Sequence, residues 1–94
     1  MKKLEQEAID KFIEAYGEKY GWKVYTWKGG TEIQRKHGEY NSSISLTNLK
    51  NVEFEDGELH LAYKSGYMVW LIEDSIMFDY EPDNPLFGMD GEVV

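Results

Sequence analysis

The chain contains no cysteine among its 94 residues, and only two prolines. The absence of cysteine excludes disulfide bonds, thiolate nucleophiles, cysteine-ligated zinc and iron–sulfur clusters. Long apolar runs are also missing, because the longest, Tyr67 to Ile72, has six residues. A membrane-spanning helix needs roughly 20, and no apolar segment typical of a signal peptide follows Met1. We therefore expect a soluble, cytoplasmic protein with no membrane partner.

Basic residues are scarce in the second half of the chain. Residues 1–50 hold nine Lys or Arg and seven Asp or Glu, a net charge of +2. Residues 51–94 hold one lysine, Lys64, and eleven acids, a net charge of −10. Phosphate contacts require clustered Lys and Arg, so we expect no direct binding to nucleic acid. An acidic surface instead favours a basic partner.

Residues 3–20 have the periodicity of an amphipathic helix. The apolar stripe consists of Leu4, Ala8, Ile9, Phe12, Ile13, Tyr16 and Tyr20. Either Gly17 or Gly21 is expected to end the helix in a left-handed conformation. Because an isolated helix of this length is only marginally stable, we expect its stripe to pack on a sheet.

From Trp22 onward, short runs of alternating residues predict antiparallel strands. Asp56-Gly57 is the clearest turn signal, since both positions of a type I′ hairpin turn need a positive φ. Val52 and Phe54 are expected to point into the core. Residues 37–42 are expected to form a loop, and residues 67–72, apolar on both faces, a central or doubly covered strand.

These patterns predict an α+β fold in which an N-terminal amphipathic helix packs on a five- to six-stranded antiparallel meander. The predicted domain spans residues 1–81, and residues 82–94, which contain Pro82 and Pro85, are predicted to be an irregular tail. The segment MVWLIEDSIMFDYE also resembles the two final strands of an Sm-like protein. That resemblance implies a small Sm-like or SH3-like barrel as the alternative fold.

The sequence offers little that could carry a reaction. Glu58 and His60 share one strand face, an arrangement that can orient a general base, but no nucleophile accompanies them.

The acids from Asp79 onward can be compared with a twelve-residue calcium loop, which needs glycine at position 6 and glutamate at position 12. This chain has Asn84 and Asp90 there. We therefore predict no catalytic residue, no metal site and no cofactor.

Acids and aromatic residues are the candidates for contact with a partner. In the first strand, Trp22 and Val24 face one way while Tyr25 and Trp27 face the other, so one pair is expected to be partly exposed. Exposed aromatic side chains often anchor protein interfaces. The predicted partner-binding residues are Glu53, Glu55, Asp56, Glu58, Glu73, Asp74, Asp79, Glu81, Asp83, Tyr25 and Trp27.

The favoured function is a non-enzymatic interaction protein that binds a basic protein or a nucleic-acid-binding complex. In its size, charge and lack of catalytic sets, the chain is similar to phage-encoded inhibitors of bacterial defence nucleases, including anti-CRISPR proteins. That similarity implies a nucleic-acid-mimicking inhibitor.

Two alternatives stay open. The protein could be a homo-oligomeric structural or adaptor module, in which Glu32 to Lys36 or Ile76 to Glu81 pairs with a second copy. It could instead bind a small molecule on the Glu58–His60 strand face. The expected oligomeric state is a monomer or a homodimer. In a variant of the favoured function, the tail docks on a partner groove through its apolar residues Leu86, Phe87 and Met89.

Overall fold

The computed structural model describes residues 3–80, which form one helix followed by seven strands in two antiparallel sheets. The elements are α1 (Lys3–Tyr20), β1 (Trp22–Trp27), β2 (Gly30–His37), β3 (Tyr40–Ser45), β4 (Leu49–Glu55), β5 (Glu58–Tyr63), β6 (Tyr67–Ile72) and β7 (Ser75–Tyr80). Sheet A has the order β1-β2-β3, and sheet B has the order β4-β5-β6-β7. The α+β class and the N-terminal helix are confirmed. The predicted tail lies outside the described residues.

The sheet arrangement differs from the prediction in two respects. In the expected loop over residues 37–42, His37 ends β2, residues 40–42 begin β3, and only Gly38 and Glu39 form the turn. The chain then passes from sheet A to sheet B between Ser45 and Leu49, where Asn48 has a φ of 58°. Residues 3–80 therefore form two sheets with seven strands, instead of one meander of five or six or a closed barrel.

Helix α1 has the predicted bounds, and all of the predicted stripe except Leu4 is buried or half-buried. Ala8, Ile9 and Phe12 are buried, whereas Leu4 in the first turn is exposed. Gly21 ends the helix with a φ of 84°, and its amide donates to the Gly17 carbonyl at 2.9 Å. A Cβ at Gly21 would lie 2.2 Å from the Lys36 carbonyl oxygen, so only glycine fits this cap.

The core lies between α1 and the inner faces of the two sheets. Its largest fully buried side chains are Ile9, Phe12, Trp22, Ile33, Leu59, Leu61 and Leu71. Trp22 packs edge-on against Phe12, with ring centroids 5.5 Å apart, and its indole N–H donates to the Glu73 carbonyl in the turn between β6 and β7. One side chain thus connects the helix, sheet A and sheet B.

Two hairpin turns lie at the same end of sheet B. Asp56 and Gly57 have φ values of 53° and 79°, which confirms the predicted type I′ turn between β4 and β5. Because Glu58 at the start of β5 pairs with Ile72 at the end of β6, the turn after Ile72 lies beside this hairpin. Antiparallel pairing therefore brings the two turns together at one end of sheet B.

Arg35 is a buried cation that contacts the end of the helix. It is 8% exposed, and its Nε donates to the Tyr20 carbonyl at 2.8 Å. Its guanidinium lies over the Tyr40 ring, 5.0 Å from the ring centroid. The Tyr20 carbonyl belongs to the last helical turn, where carbonyls lack helical donors and carry the negative end of the helix dipole. Arg35 therefore stabilises the C-terminus of α1.

We predict that Arg35→Ala lowers the free energy of unfolding by about 1.5–3 kcal/mol, the usual contribution of a hydrogen bond to a charged group. Urea denaturation measures the change. The matched control is Lys23→Ala, since Lys23 is an exposed cation on the neighbouring strand and should shift stability by less than about 0.5 kcal/mol. Equal effects of the two variants would show that Arg35 does not stabilise the helix end.

Tyr63 connects the two sheets through its hydroxyl, which donates to the Ser45 carbonyl. Burial raises the pKa of Tyr63 from 10.0 to about 12. Because the folded pKa lies above the unfolded value, the neutral phenol favours the folded chain. This contribution is fully present below pH 10.0 and is lost as the pH rises towards about 12.

We predict that Tyr63→Phe lowers stability near neutral pH by about 0.5–1.5 kcal/mol through loss of one hydrogen bond. Stability of the variant should also fall less steeply than that of the wild type between pH 10.0 and 12, since its ring cannot ionise. Urea denaturation at several alkaline pH values measures both effects. Tyr25→Phe, at an exposed position, should leave the wild-type pH profile unchanged.

Candidate functional site

The outer face of sheet B carries apolar side chains that no described element covers. Helix α1 packs against β1, β2, β4 and β5, and its Phe12 contacts the inward-pointing Phe54. The opposite side of sheet B bears the open face, which we define as Ala62, Met68, Trp70, Ile72 and Met77. Trp70 is half-buried among its neighbours, and Met77 is 46% exposed.

Carboxylates border the open face at one end of the sheet. We define the acidic end as Glu55, Asp56, Glu58, Glu73 and Asp74. Glu55 and Glu58 flank the turn between β4 and β5, and Glu58 lies across from Ile72. Within residues 3–80, none of these five acids forms an ion pair with a lysine or arginine. The acidic end is therefore a concentration of negative charge.

The structure brings together only some of the predicted acids. Glu53 lies on the outer face of β4, one row inside the acidic end and opposite His60. Asp79 lies opposite Met68 towards the other end of sheet B. The row formed by His60, Trp70 and Met77 separates Asp79 from the acidic end. Among residues 3–80 the acids thus form an end cluster, and Glu81 and Asp83 lie outside the described residues.

The predicted aromatic residues Tyr25 and Trp27 lie on another surface. They point outward from sheet A and are 36% and 49% exposed, whereas Trp22 is buried, so the predicted split between the two faces of β1 is confirmed. The Lys36 ammonium lies 5.9 Å from the centroid of the Tyr25 ring. These aromatic side chains are therefore not part of the surface that contains the acidic end.

On the outer side of sheet B, Glu58 and His60 form a close polar pair beside the open face. A Glu58 carboxylate oxygen lies 2.8 Å from His60 Nε2, and the imidazole stands edge-on to Trp70 with centroids 6.1 Å apart. The cross-strand neighbours of His60 are Glu53 and Trp70, neither of which is a nucleophile. The pair orients the imidazole and places a hydrogen-bonding group between the acids and the apolar residues.

The sequence-based list of contact residues omitted the apolar part of this surface. In β6, Met68 and Trp70 alternate with the buried residues Val69 and Leu71, which made this strand appear covered on both faces. Its central position is confirmed, because β6 lies between β5 and β7. The signal that could have identified the open face is the absence of a second helix to cover the outer side of such a strand.

The described residues show no arrangement that would hold a metal ion. Within residues 3–80, no three His, Asp or Glu side chains converge on one point. The only helix in this range, α1, is too polar to cross a membrane. The comparison with a calcium loop concerns residues that mostly lie beyond Tyr80, outside the described range.

No protein-family model, curated protein or solved structure matches the chain. The candidate site therefore depends on its own geometry: an open apolar face on sheet B, bordered at one end by carboxylates from two hairpins.

Proposed function

We propose that the protein is a non-enzymatic interaction protein that binds a basic protein surface through the acidic end and the adjoining open face of sheet B. The observation that carries this proposal is the border between these two surfaces, where Glu58 lies opposite Ile72 and beside His60. A partner that fits this border has apolar side chains flanked by lysine or arginine. Such a combination of apolar centre and charged rim is typical of protein interfaces.

The spacing of the acids supports a nucleic-acid-binding partner. Alternate residues on a strand, such as Glu53 and Glu55, lie about 7 Å apart, and neighbouring strands lie about 4.8 Å apart. Carboxylates from β4, β5 and two turns therefore form a dense array of negative charge. A surface that binds the closely spaced phosphates of a nucleic acid would be attracted to such an array. More specifically, we propose that the protein occupies the nucleic-acid-binding surface of a nuclease and inhibits the enzyme by excluding its nucleic acid.

Charge reversal at the acidic end tests the interface. The probe is a twelve-residue peptide of alternating arginine and leucine, titrated into isotopically labelled protein and followed by amide chemical shifts. Glu55 and Asp74 are the positions to reverse, since both are exposed. Asp56 and Glu73 have left-handed backbone conformations, and Glu58 is bonded to His60, so these three are left unchanged.

We predict that the double variant Glu55→Lys/Asp74→Lys binds the peptide roughly 5- to 30-fold more weakly than the wild type. Each substitution removes an ion pair of about 0.5 kcal/mol with a peptide arginine and adds a repulsion of about the same size. Wild-type affinity should fall as salt is raised. The matched control is Glu14→Lys/Glu18→Lys, which makes the same charge change on exposed positions of α1 and should change affinity less than about twofold. Equal weakening by both double variants would mean that net charge alone drives binding.

The nucleic-acid-mimicking form is tested with a panel of basic proteins. We expect the wild type to bind an RNA-guided nuclease or a homeodomain and to compete there with a labelled DNA duplex. It should bind more weakly to lysozyme and cytochrome c, which are basic proteins that do not bind nucleic acid as their function. Fluorescence anisotropy of the DNA measures the competition, and Glu55→Lys/Asp74→Lys serves as the weakened competitor. Binding without preference across the panel would contradict mimicry, while leaving a general basic partner in place.

A further inference from the structure

Strand β7 presents the most apolar free edge in the described part of the chain. It is the last strand of sheet B, and residues 3–80 provide no neighbour on its outer side. Phe78 is 65% exposed, Tyr80 is 50% exposed, and Met77 is 46% exposed. The edge strands β1 and β4 lie against α1, and β3 exposes the polar residues Asn41, Ser43 and Ser45. An exposed apolar edge is a template for pairing with another strand.

The hairpin geometry determines which backbone groups of β7 face outward. Ile72 and Ser75 pair across the two-residue turn of Glu73 and Asp74, and the pair that flanks such a turn exchanges hydrogen bonds. Hydrogen-bonded and non-hydrogen-bonded positions alternate along an antiparallel ladder. Ser75, Met77 and Asp79 therefore bond to β6, and the amides and carbonyls of Ile76, Phe78 and Tyr80 point away from it.

One of these outward amides already has a partner. The Tyr80 amide donates to the Asp79 carboxylate at 2.8 Å. The amides of Ile76 and Phe78 are the outward donors that remain for another strand. On the inner side, Phe78 lines an open groove of about 340 Å³ with Ile44, Tyr63 and Tyr67, so no described residue covers its ring.

We propose that β7 pairs antiparallel with β7 of a second copy, with the two-fold axis at Met77 and with Ile76 opposite Phe78 of the partner copy. This register forms backbone hydrogen bonds at the two outward positions whose amides are available. It joins two copies of sheet B into one continuous sheet of eight strands. The occupant is a second copy because the edge is complementary to itself. Its two available amides, at Ile76 and Phe78, lie symmetrically about Met77, as a two-fold interface requires.

Like-charge repulsion and the bonded Tyr80 amide disfavour shifts of this register towards Asp79 or Phe78. Shifting the two-fold axis to Asp79 would place two carboxylates directly opposite each other, which is destabilising. Shifting it to Phe78 would set Asp79 against Met77 and would require the Tyr80 amide to leave Asp79. With the axis at Met77, Asp79 lies opposite Ser75 of the partner copy. The Ser75 hydroxyl donates to Asp74 at 3.4 Å within its own chain and would turn to donate to Asp79 of the partner copy.

The pairing can be tested separately from the proposed function. It uses the outward backbone groups of Ile76 and Phe78, which the basic partner does not use, although Met77 belongs both to the two-fold axis and to the open face. A single strand pair is a small interface, so we expect weak dimerisation. Its dissociation constant should still lie below about 1 mM. Peptide binding could fail with dimerisation intact, or the reverse, and the two results would be distinguishable.

Cysteine cross-linking tests the register, and the cysteine-free chain provides a clean background. Non-hydrogen-bonded antiparallel pairs have Cα atoms about 4.5 Å apart, within the range that a disulfide spans. We expect Met77→Cys to form a disulfide-linked dimer at least several-fold faster under mild oxidation than Lys23→Cys, an exposed control on sheet A. Equal rates for these two variants would overturn the pairing. Faster cross-linking of Phe78→Cys than of Met77→Cys would overturn the register.

Sedimentation equilibrium of the cysteine-free protein provides the second test. The wild type should approach twice its 11.0 kDa mass as its concentration rises. Phe78→Lys should remain at the monomer mass, because a charge on an edge opposes strand pairing; its exposed position lets the fold persist, as circular dichroism would verify. Trp27→Lys, an exposed aromatic replacement on the edge strand β1, should dimerise like the wild type. A wild type that stays monomeric at about 1 mM would overturn the proposal.

Discussion

The buried indole of Trp22 is the contact on which the rest of the arrangement depends. Gly21 ends the helix one residue earlier, so Trp22 begins β1 directly beside the end of α1. Its ring packs on Phe12, and its N–H donates to Glu73 in sheet B. A buried indole N–H requires an acceptor, and the turn between β6 and β7 supplies one. The helix, both sheets and one acidic turn are thereby held in a fixed relation by a single side chain.

This contact explains how an acidic turn can be well positioned without an ionic partner. The backbone carbonyl of Glu73 bonds to the core, while its side chain remains exposed. The Asp56-Gly57 turn lies at the same end because β5 and β6 are paired. Repulsion between exposed carboxylates is weak and is screened by salt. The backbone and the core therefore determine the position of the charges, and the charges remain available to a partner.

Local patterns in the sequence predicted the elements better than their arrangement. Helical periodicity located α1, and the Asp56-Gly57 pair located its hairpin, because both signals depend on neighbouring residues. The first half of β3 was assigned to a loop, because Gly38 and Asn41 are typical of turns and Asn41 and Ser43 make the outer face of the strand polar. The passage from sheet A to sheet B at Asn48 depends on which distant strands pair, which alternation does not reveal. All five acids of the acidic end were predicted as contact residues, but the sequence could not show that their two turns meet, for the same reason. The burial of Arg35 could not be predicted either, because the only signal was that it shares a strand face with Ile33.

Sheet A and sheet B differ in what they leave exposed. Sheet A faces solvent mainly with polar residues, apart from Tyr25, Trp27 and Tyr40, and its inner face holds Arg35 against the helix end. Within residues 3–80, sheet B combines an uncovered apolar face, carboxylates at one end and a free apolar edge at β7. The one helix in this range covers only one side of the sheets. The helix and sheet A therefore act as the scaffold, and sheet B provides the surface for association.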